Sequence, residues 1–326
     1  MESLFSKLSE GVSKADKAGG SFLAVSLGLI GTFLTLKSIN FVWKYYLRPF
    51  PSLRKKYGGS WAIVTGATGG IGLHIAHELA AEGINIVLIA CNEDRLAETA
   101  SDFCSKYPDI DTRTVSFDAG QVANLDPIRT AIQGLAVSLL FNNVGVQNII
   151  PTNVEDMDAG EVSNIVSTNC TFQAQLTSLV IPQLRQYVLV RSNEQGRALV
   201  VTVSSLTSRM AMPMLAVYAA TKAFEEHFSL GLAAELQPLG IDCMCLRPWL
   251  TGTMSGSDPS LFYPSAQVMG RACVRMVGCG ELSVAPYAPH AVLDAASALL
   301  PYCASFSLVR QMHEKKRQEK LRHSKK

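Results

Sequence analysis

The stretch WAIVTGATGGIG, residues 61–72, constrains the fold more than any other part of the chain. An uncharged apolar run reads as a buried strand, and Gly66, Gly70 and Gly72 then make a tight turn. LHIAHELAAEG continues as a helix that stops at Gly83. Strand, glycine turn and helix in this order form the first half of a βαβ unit. The alternation continues. INIVLIA is a second apolar strand, EDRLAETASDFCSKY a helix, and TRTVSFD a third strand ending at Asp118. SLLFNNVG, ALVVTVSS and IDCMCLRP read as further strands. This pattern predicts an α/β fold, a doubly wound parallel sheet in one domain, over residues 57–300.

Residues without Cβ let the backbone approach a pyrophosphate, and a helix N-terminus offers it unpaired N–H groups and a favourable dipole. The G-x-x-x-G-x-G spacing, placed between strand and helix, therefore predicts a Rossmann-type dinucleotide site. Gly66, Thr68, Gly70, Ile71 and Gly72 are its expected phosphate-side residues, and Asn92, Arg95, Asp118, Asn143 and Gly145 are its contacts at later strand tips. An acid at the second tip would bind the 2′-hydroxyl of NAD, whereas an arginine accommodates the 2′-phosphate of NADP. Ala90, Cys91 and Asn92 occupy that tip, with Arg95 a turn further on. With no acid to repel the phosphate, NADPH is the expected cofactor and NADH is left open.

VYAATKAF places Tyr218 four residues before Lys222. Such a pair shares a helix face, and on its own it is ordinary. Its setting is not. TGATGGIG, NNVG, a serine thirteen residues before the tyrosine and Y-x-x-x-K occur in one order. Together they resemble the short-chain dehydrogenase/reductase family over roughly residues 57–255. The resemblance implies that Tyr218 is a general acid for the carbonyl oxygen and that Lys222 lowers its pKa and holds the nicotinamide ribose. It implies that Ser205, rather than Ser204, orients the substrate carbonyl, and that Asn169 in STNCTF holds a water in a proton relay. An unperturbed phenol has a pKa of about 10, which a neighbouring ammonium lowers.

Within that family the chain resembles the microsomal very-long-chain 3-oxoacyl-CoA reductases and related 17β-hydroxysteroid dehydrogenases. LRKKYGGSWAIVTG, the YxATKxF pattern, and Pro248-Trp249 after the last core strand carry this likeness, with Thr251 and Thr253 following as expected cofactor contacts. It implies reduction of 3-oxoacyl-CoA to 3-hydroxyacyl-CoA in fatty-acid elongation. Oxidoreduction of a steroid or other lipid ketone is the alternative, and a scaffold without catalysis a more distant one. Gly69 stands where the group usually has an acid, and Ala90-Cys91 where it has SR.

Composition adds the membrane. Only 17% of residues are charged against 48% hydrophobic, which is low for a soluble protein. Residues 19–36, GGSFLAVSLGLIGTFLTL, carry no charge and are followed by SINFVW and the interfacial Tyr45 and Tyr46. The length is near the minimum for a spanning helix. No small-x-small cleavage site follows, which disfavours a signal peptide. An uncleaved anchor and basic linker are expected over residues 1–56, although a buried N-terminal helix would have the same composition. Six basic residues follow the segment and three precede it, so the positive-inside rule puts the catalytic domain on the cytosolic face. The resemblance makes that membrane the endoplasmic reticulum. The basic stretch 301–326 reads either as a segment on an anionic membrane surface or as a solvated tail behind a last core helix.

The eight cysteines show no paired metal spacing, and no metal is expected. The expected partners are a lipid substrate, a membrane and no nucleic acid. A second copy of the chain and other elongation enzymes are further possibilities that the resemblance raises.

Overall fold

The computed structural model describes residues 26–122, 124–191, 196–252, 258–299 and 302–323. The chain divides into two compact units, one ending at Phe50 and one beginning at Pro51.

The first unit contains helix α1, Ser26–Leu47, with a mean hydropathy of 1.2. At 1.5 Å per residue its 22 residues span about 33 Å, enough for a hydrocarbon core of about 30 Å. Leu27, Leu29, Ile30, Phe33 and Leu34 all point outward, each more than half exposed. The hydroxyls of Thr32 and Thr35 donate to the carbonyls of Gly28 and Gly31, both at 2.9 Å. Both hydroxyls are thus satisfied within the helix itself. The last turn, Trp43–Leu47, widens into a π-helix. The helix runs past the expected boundary at Leu36, and residues 19–25 of the expected span lie outside the described residues.

The second unit starts with the short α2, Leu53–Tyr57, and then alternates. β1 (Trp61–Thr65), α3 (Gly70–Ala81), β2 (Asn85–Ala90), α4 (Glu93–Lys106) and β3 (Thr112–Ser116) form one half. α5 (Asp126–Ile132), β4 (Val137–Asn142), α6 (Ala159–Val166), α7 (Gln173–Val190), β5 (Ala198–Val203), α8 (Ala216–Leu236) and β6 (Ile241–Leu246) follow. α9 (Ala266–Met276), β7 (Ser283–Val284), α10 (Ala288–Ser297) and α11 (Tyr302–His323) complete it.

The seven strands are all parallel, in the order β3-β2-β1-β4-β5-β6-β7. β1, β4 and β5 are buried along their whole length. That is why they read as unbroken apolar runs rather than alternating ones: helices cover both faces. Ile63, Val87, Leu140 and Val200 meet Phe172 and Leu176 in one core layer. Strand order reverses at β1, which pairs with β2 on one side and β4 on the other. Ligands in open α/β sheets bind in the crevice beyond the strand C-termini at that reversal.

The base of the sheet is locked separately. Asp242, at the start of β6, accepts from the Tyr57 hydroxyl at 2.8 Å and pairs with Lys56 at 2.9 Å and with Arg197. The Tyr187 hydroxyl donates to the Tyr57 carbonyl at 2.7 Å. The basic linker thus joins the domain instead of hanging free of it.

The basic C-terminal stretch differs from a solvated tail. It is helical as α11, and Val309 is buried with Met212, Leu215 and Ala219, against which Met210 and Trp249 also pack. His313 Nδ1–H donates to the Pro213 carbonyl at 2.6 Å, Arg317 pairs with Asp156 at 3.7 Å, and Lys320 bonds to the Ile149 carbonyl. Val309, His313, Lys316 and Lys320 recur at spacings of four, three and four. They therefore share one face of the helix, and lysines within it keep that face from standing out by hydropathy.

Candidate active site

A cavity of about 550 Å³ opens at the C-terminal ends of β1, β4, β5 and β6. Gly66, Gly70, Ile71, Asn143 and Gly145 line it on one side, Ser205, Tyr218, Lys222 and Pro248 in the middle, and Val309, Met312, His313, Lys316 and Lys320 of α11 on the other.

The glycine turn fits a pyrophosphate by its space. A Cβ added to Gly69 or Gly70 would meet nothing within 4 Å, and the N-cap Gly69 provides no side-chain bond to the first N–H groups of α3. The turn thus presents open room and uncapped donors. Gly72 has the opposite reason to be glycine: a Cβ there would stand 2.4 Å from the Gly66 carbonyl and 2.3 Å from Asn143 Nδ2. Asn143 in turn ties the β4 tip to β1, its backbone N–H donating to Thr65 Oγ1 and its Nδ2 to the Thr65 carbonyl, both at 2.9 Å.

The catalytic candidates converge from three elements. Ser205 follows β5, and its Oγ accepts from the Thr207 N–H at 3.2 Å. Ser204 is turned to another task, donating to the Lys222 carbonyl at 2.7 Å. Tyr218 and Lys222 stand one turn apart on α8, with Lys222 Nζ 5.8 Å from the centre of the Tyr218 ring. Asn169 sits on a π-helical turn, Ser167–Phe172, between α6 and α7. Its Oδ1 accepts from the Val146 N–H, and its Nδ2 donates to the Val146 carbonyl and to Thr221 Oγ1, all at 2.9 Å. Asn169 is thereby a clamp between the NNVG loop and α8. Gly145 lies so close that an added Cβ would be 3.0 Å from Lys222 Nζ.

The electrostatics differ from the simple expectation for a tyrosine beside a lysine. Burial pushes the Tyr218 phenol up, Lys222 pulls it down, and Glu225 pushes it up again, leaving it above its ordinary value. Burial disfavours the Lys222 ammonium, but Glu225 and then Tyr218 outweigh it, so Lys222 stays charged. Spacing revealed the pair; it did not reveal Glu225. The only sequence signal was a carboxylate three residues after the lysine.

Other expected contacts fall outside the cavity lining. Asn92 caps α4, its Oδ1 accepting from the Arg95 N–H at 2.8 Å, and both residues are exposed at the β2 tip. Asp118, exposed beyond β3, accepts from the Gly120 N–H at 2.9 Å. Thr68 lies on the glycine turn, half-buried, and Thr251 is buried after β6. Thr253 lies outside the described residues. Sequence reasoning did not anticipate His290, whose Nδ1 accepts from the Trp249 N–H and whose Nε2 bonds to the Phe262 carbonyl, both at 3.0 Å. That imidazole, held below its ordinary pKa by burial, fixes the segment after β6.

Comparison with known proteins places this arrangement. A very-long-chain 3-oxoacyl-CoA reductase of Rattus norvegicus is 30% identical over 273 residues, covering 82% of this chain and 84% of that one. A very-long-chain 3-oxoacyl-CoA reductase-B of Danio rerio is 34% identical over 249 residues, 74% of this chain and 76% of that one. Among solved structures, a 7beta-hydroxysteroid dehydrogenase superimposes with a TM-score of 0.65 at 20% identity, over 79% of this chain and 98% of that one. A short-chain dehydrogenase from Sphingobium yanoikuyae in complex with NADPH gives 0.61 at 24% identity, over 73% and 93%. At those identities the structures speak for the fold alone. The family description "short chain dehydrogenase" matches residues 60–258, which span β1 to β6 and every catalytic candidate. The chain therefore belongs to the short-chain dehydrogenase family and is a nicotinamide-dependent oxidoreductase.

Proposed function

We propose that the protein is a membrane-anchored, NADPH-dependent reductase of 3-oxoacyl-CoA to 3-hydroxyacyl-CoA. The observation that carries this reading is the polarity of the cavity. Met210, Met212, Leu215, Val309 and Met312 line its substrate side, and Lys316 and Lys320 stand in the same wall. Such a wall suits an apolar body that ends in an anionic head, which an acyl-CoA has and a neutral steroid lacks. Burial, and then Lys320, hold the Lys316 ammonium below its ordinary pKa. Two neighbouring cations of this kind gain from an anion placed between them.

In this reading the turn Gly66–Gly72 holds the cofactor's phosphates, and Lys222 holds its ribose. NADPH, when bound, supplies the hydride to the carbonyl carbon. Ser205 donates a hydrogen bond to the carbonyl oxygen and fixes its position, and Tyr218 gives that oxygen the proton that completes the alcohol. Asn169 keeps the NNVG loop and α8 in register. NADPH is preferred because the β2 tip has no carboxylate, while Arg95 is exposed one turn along α4. Residues 57–300 supply the catalysis, and α1 with its basic flanks supplies attachment to the endoplasmic reticulum, with the domain in the cytosol. Enzymes that exchange long acyl-CoA substrates with it are the partners this implies.

The test is an NADPH-oxidation assay of the purified full chain with a long-chain 3-oxoacyl-CoA and with a 17-ketosteroid. Turnover of the acyl-CoA with a far higher kcat/KM supports the proposal. Turnover of the steroid alone overturns it in favour of the alternative.

A further inference from the structure

Glu225 and Glu226 are neighbours on α8, yet their surroundings are opposite. Glu226 accepts from Ser208, from Arg209 Nε at 2.8 Å and from Ser283 Oγ at 2.7 Å, with Arg247 Nε at 3.5 Å. Burial opposes its charge, but those bonds prevail and hold its pKa below the ordinary carboxylate value. It is a structural anchor. Glu225 is fully buried, and its one cationic partner among the described residues is Lys222.

The geometry of that pair is unusual for a lysine expected to serve a reaction. An ammonium has three donors. Lys222 Nζ lies 2.9 Å from Glu225 Oε1, 2.9 Å from Oε2 and 3.3 Å from the Val203 carbonyl. Two of these acceptors belong to one carboxylate, so a cofactor hydroxyl would share the ammonium with Glu225. Tyr218, Lys222 and Glu225 follow one another at spacings of four and three on one helix face, so the cation stands between a phenol and a carboxylate.

We propose that Glu225 is a positioning residue for the proton donor: it grips the Lys222 ammonium, offsets its charge, and so keeps Tyr218 protonated to higher pH than the lysine alone would allow. The inference rests on the oxidoreductase reading of this site and is independent of which ketone is reduced. Every other titratable group facing Glu225 leaves the argument intact. Cys170, on the π-turn, is pushed up to about 11 by burial and then by Glu225 itself. Cys245, on β6, is pushed up to about 12 by burial and then by Glu226 and Glu225. Both thiols are neutral through the working range, and the Ser204 hydroxyl at the β5 tip is uncharged and donates to the Lys222 carbonyl. Glu225 is itself raised to about 7, by burial first, with Lys222 opposing. Where it is ionised, both its oxygens face the Lys222 ammonium at 2.9 Å.

The experiment compares the wild-type full chain with Glu225→Gln, which keeps shape and one acceptor but removes the charge. The first readout is the titration of Tyr218 in protein labelled with 13C at the tyrosine ζ carbon, its resonance assigned through Tyr218→Phe. The expected result is a midpoint lowered by about one pH unit, the usual scale for removing an adjacent like charge. The second readout is the alkaline limb of the carbonyl-reduction rate, which is expected to move down by the same amount. Glu225→Asp, which restores the charge at shorter reach, is expected to recover part of the shift. An unmoved Tyr218 midpoint in folded Glu225→Gln overturns the proposal and leaves Glu225 a packing residue. If Glu225→Gln does not fold, Glu225→Met, which removes the charge at similar volume, is read in its place: a lowered midpoint supports the proposal and an unmoved one overturns it. The titration needs no substrate. Absence of turnover in the wild type would thus count against the oxidoreductase reading, while the midpoint still decides the role of Glu225.

Discussion

The cavity has two walls of different origin. One is made of strand tips and the first turn of α3, from Gly66 across Asn143 to Ser205, backed by Tyr218 and Lys222. Each of its groups is held by a bond to the next strand or helix, as Asn143 is to Thr65 and Asn169 to Val146. The other wall is α11, whose contacts with the domain include buried Val309, the His313–Pro213 bond, the Arg317–Asp156 ion pair and Lys320. The first wall is anchored because its turns follow directly on strands of the sheet and its helices pack against them. The second is a single helix laid over the opening, with few buried groups. In the proposed reading, chemistry falls to the strand-tip wall, where sub-ångström placement matters, and discrimination among substrates to α11.

That contrast is broken most severely by Tyr218→Phe. Loss of the general acid is expected to lower kcat by about 10³-fold, with NADPH affinity retained by fluorescence titration. Residual activity within tenfold of the wild type would remove Tyr218 from the chemistry.

The second wall is sharpened by Lys316→Ala combined with Lys320→Ala. Two charge contacts, from half-buried Lys316 and exposed Lys320, at about 0.5–1 kcal/mol each amount to roughly a tenfold rise in KM for an acyl-CoA. The kcat is expected to hold, and the difference should shrink at high salt. Unchanged KM would show that α11 does not meet the anionic head.

The smallest effect is in stability. Burial, partly offset by the bond to Pro213, lowers the pKa of His313. A depressed value favours the neutral ring, so this stabilisation is complete above the unfolded pKa of about 6.5 and is lost as pH falls below it. His313→Gln keeps a donor for Pro213 and cannot titrate. Between pH 7 and pH 5 the wild-type Tm is expected to fall relative to that variant, by about 2–4 °C for each kcal/mol lost. A constant difference would mean that α11 is not held by a neutral histidine. The opposite trend of Glu225, whose raised pKa makes its contribution greater at low pH, cancels in the comparison.

Much of this was legible in the chain. The strands appeared as apolar runs because both faces of the sheet are covered, and the glycine turn, Ser205, Tyr218 and Lys222 could be found because their roles impose short, local spacings. The α1 helix was legible in part: the uncharged run 19–36 covers its first half, and the helix continues through Lys37 and Lys44 to Leu47. Other features were hidden. The face of α11 mixes Val309, Met312 and His313 with Lys316 and Lys320, so a scan for apolar periodicity passes over it. His290 is a lone histidine in sequence, and only the fold brings Trp249 and Phe262 to its two nitrogens.

The buried strands, the glycine turn and the phenol–lysine pair follow from residues within a few positions of one another, so short-range pattern suffices to find them. Long-range packing is what buries Glu225 against Lys222 while Glu226 bonds Arg209 and Ser283, and what brings α11 to one side of the cavity. A carboxylate's effect depends on the dielectric around it and the cations it faces, and burial is set by elements that meet from distant parts of the chain.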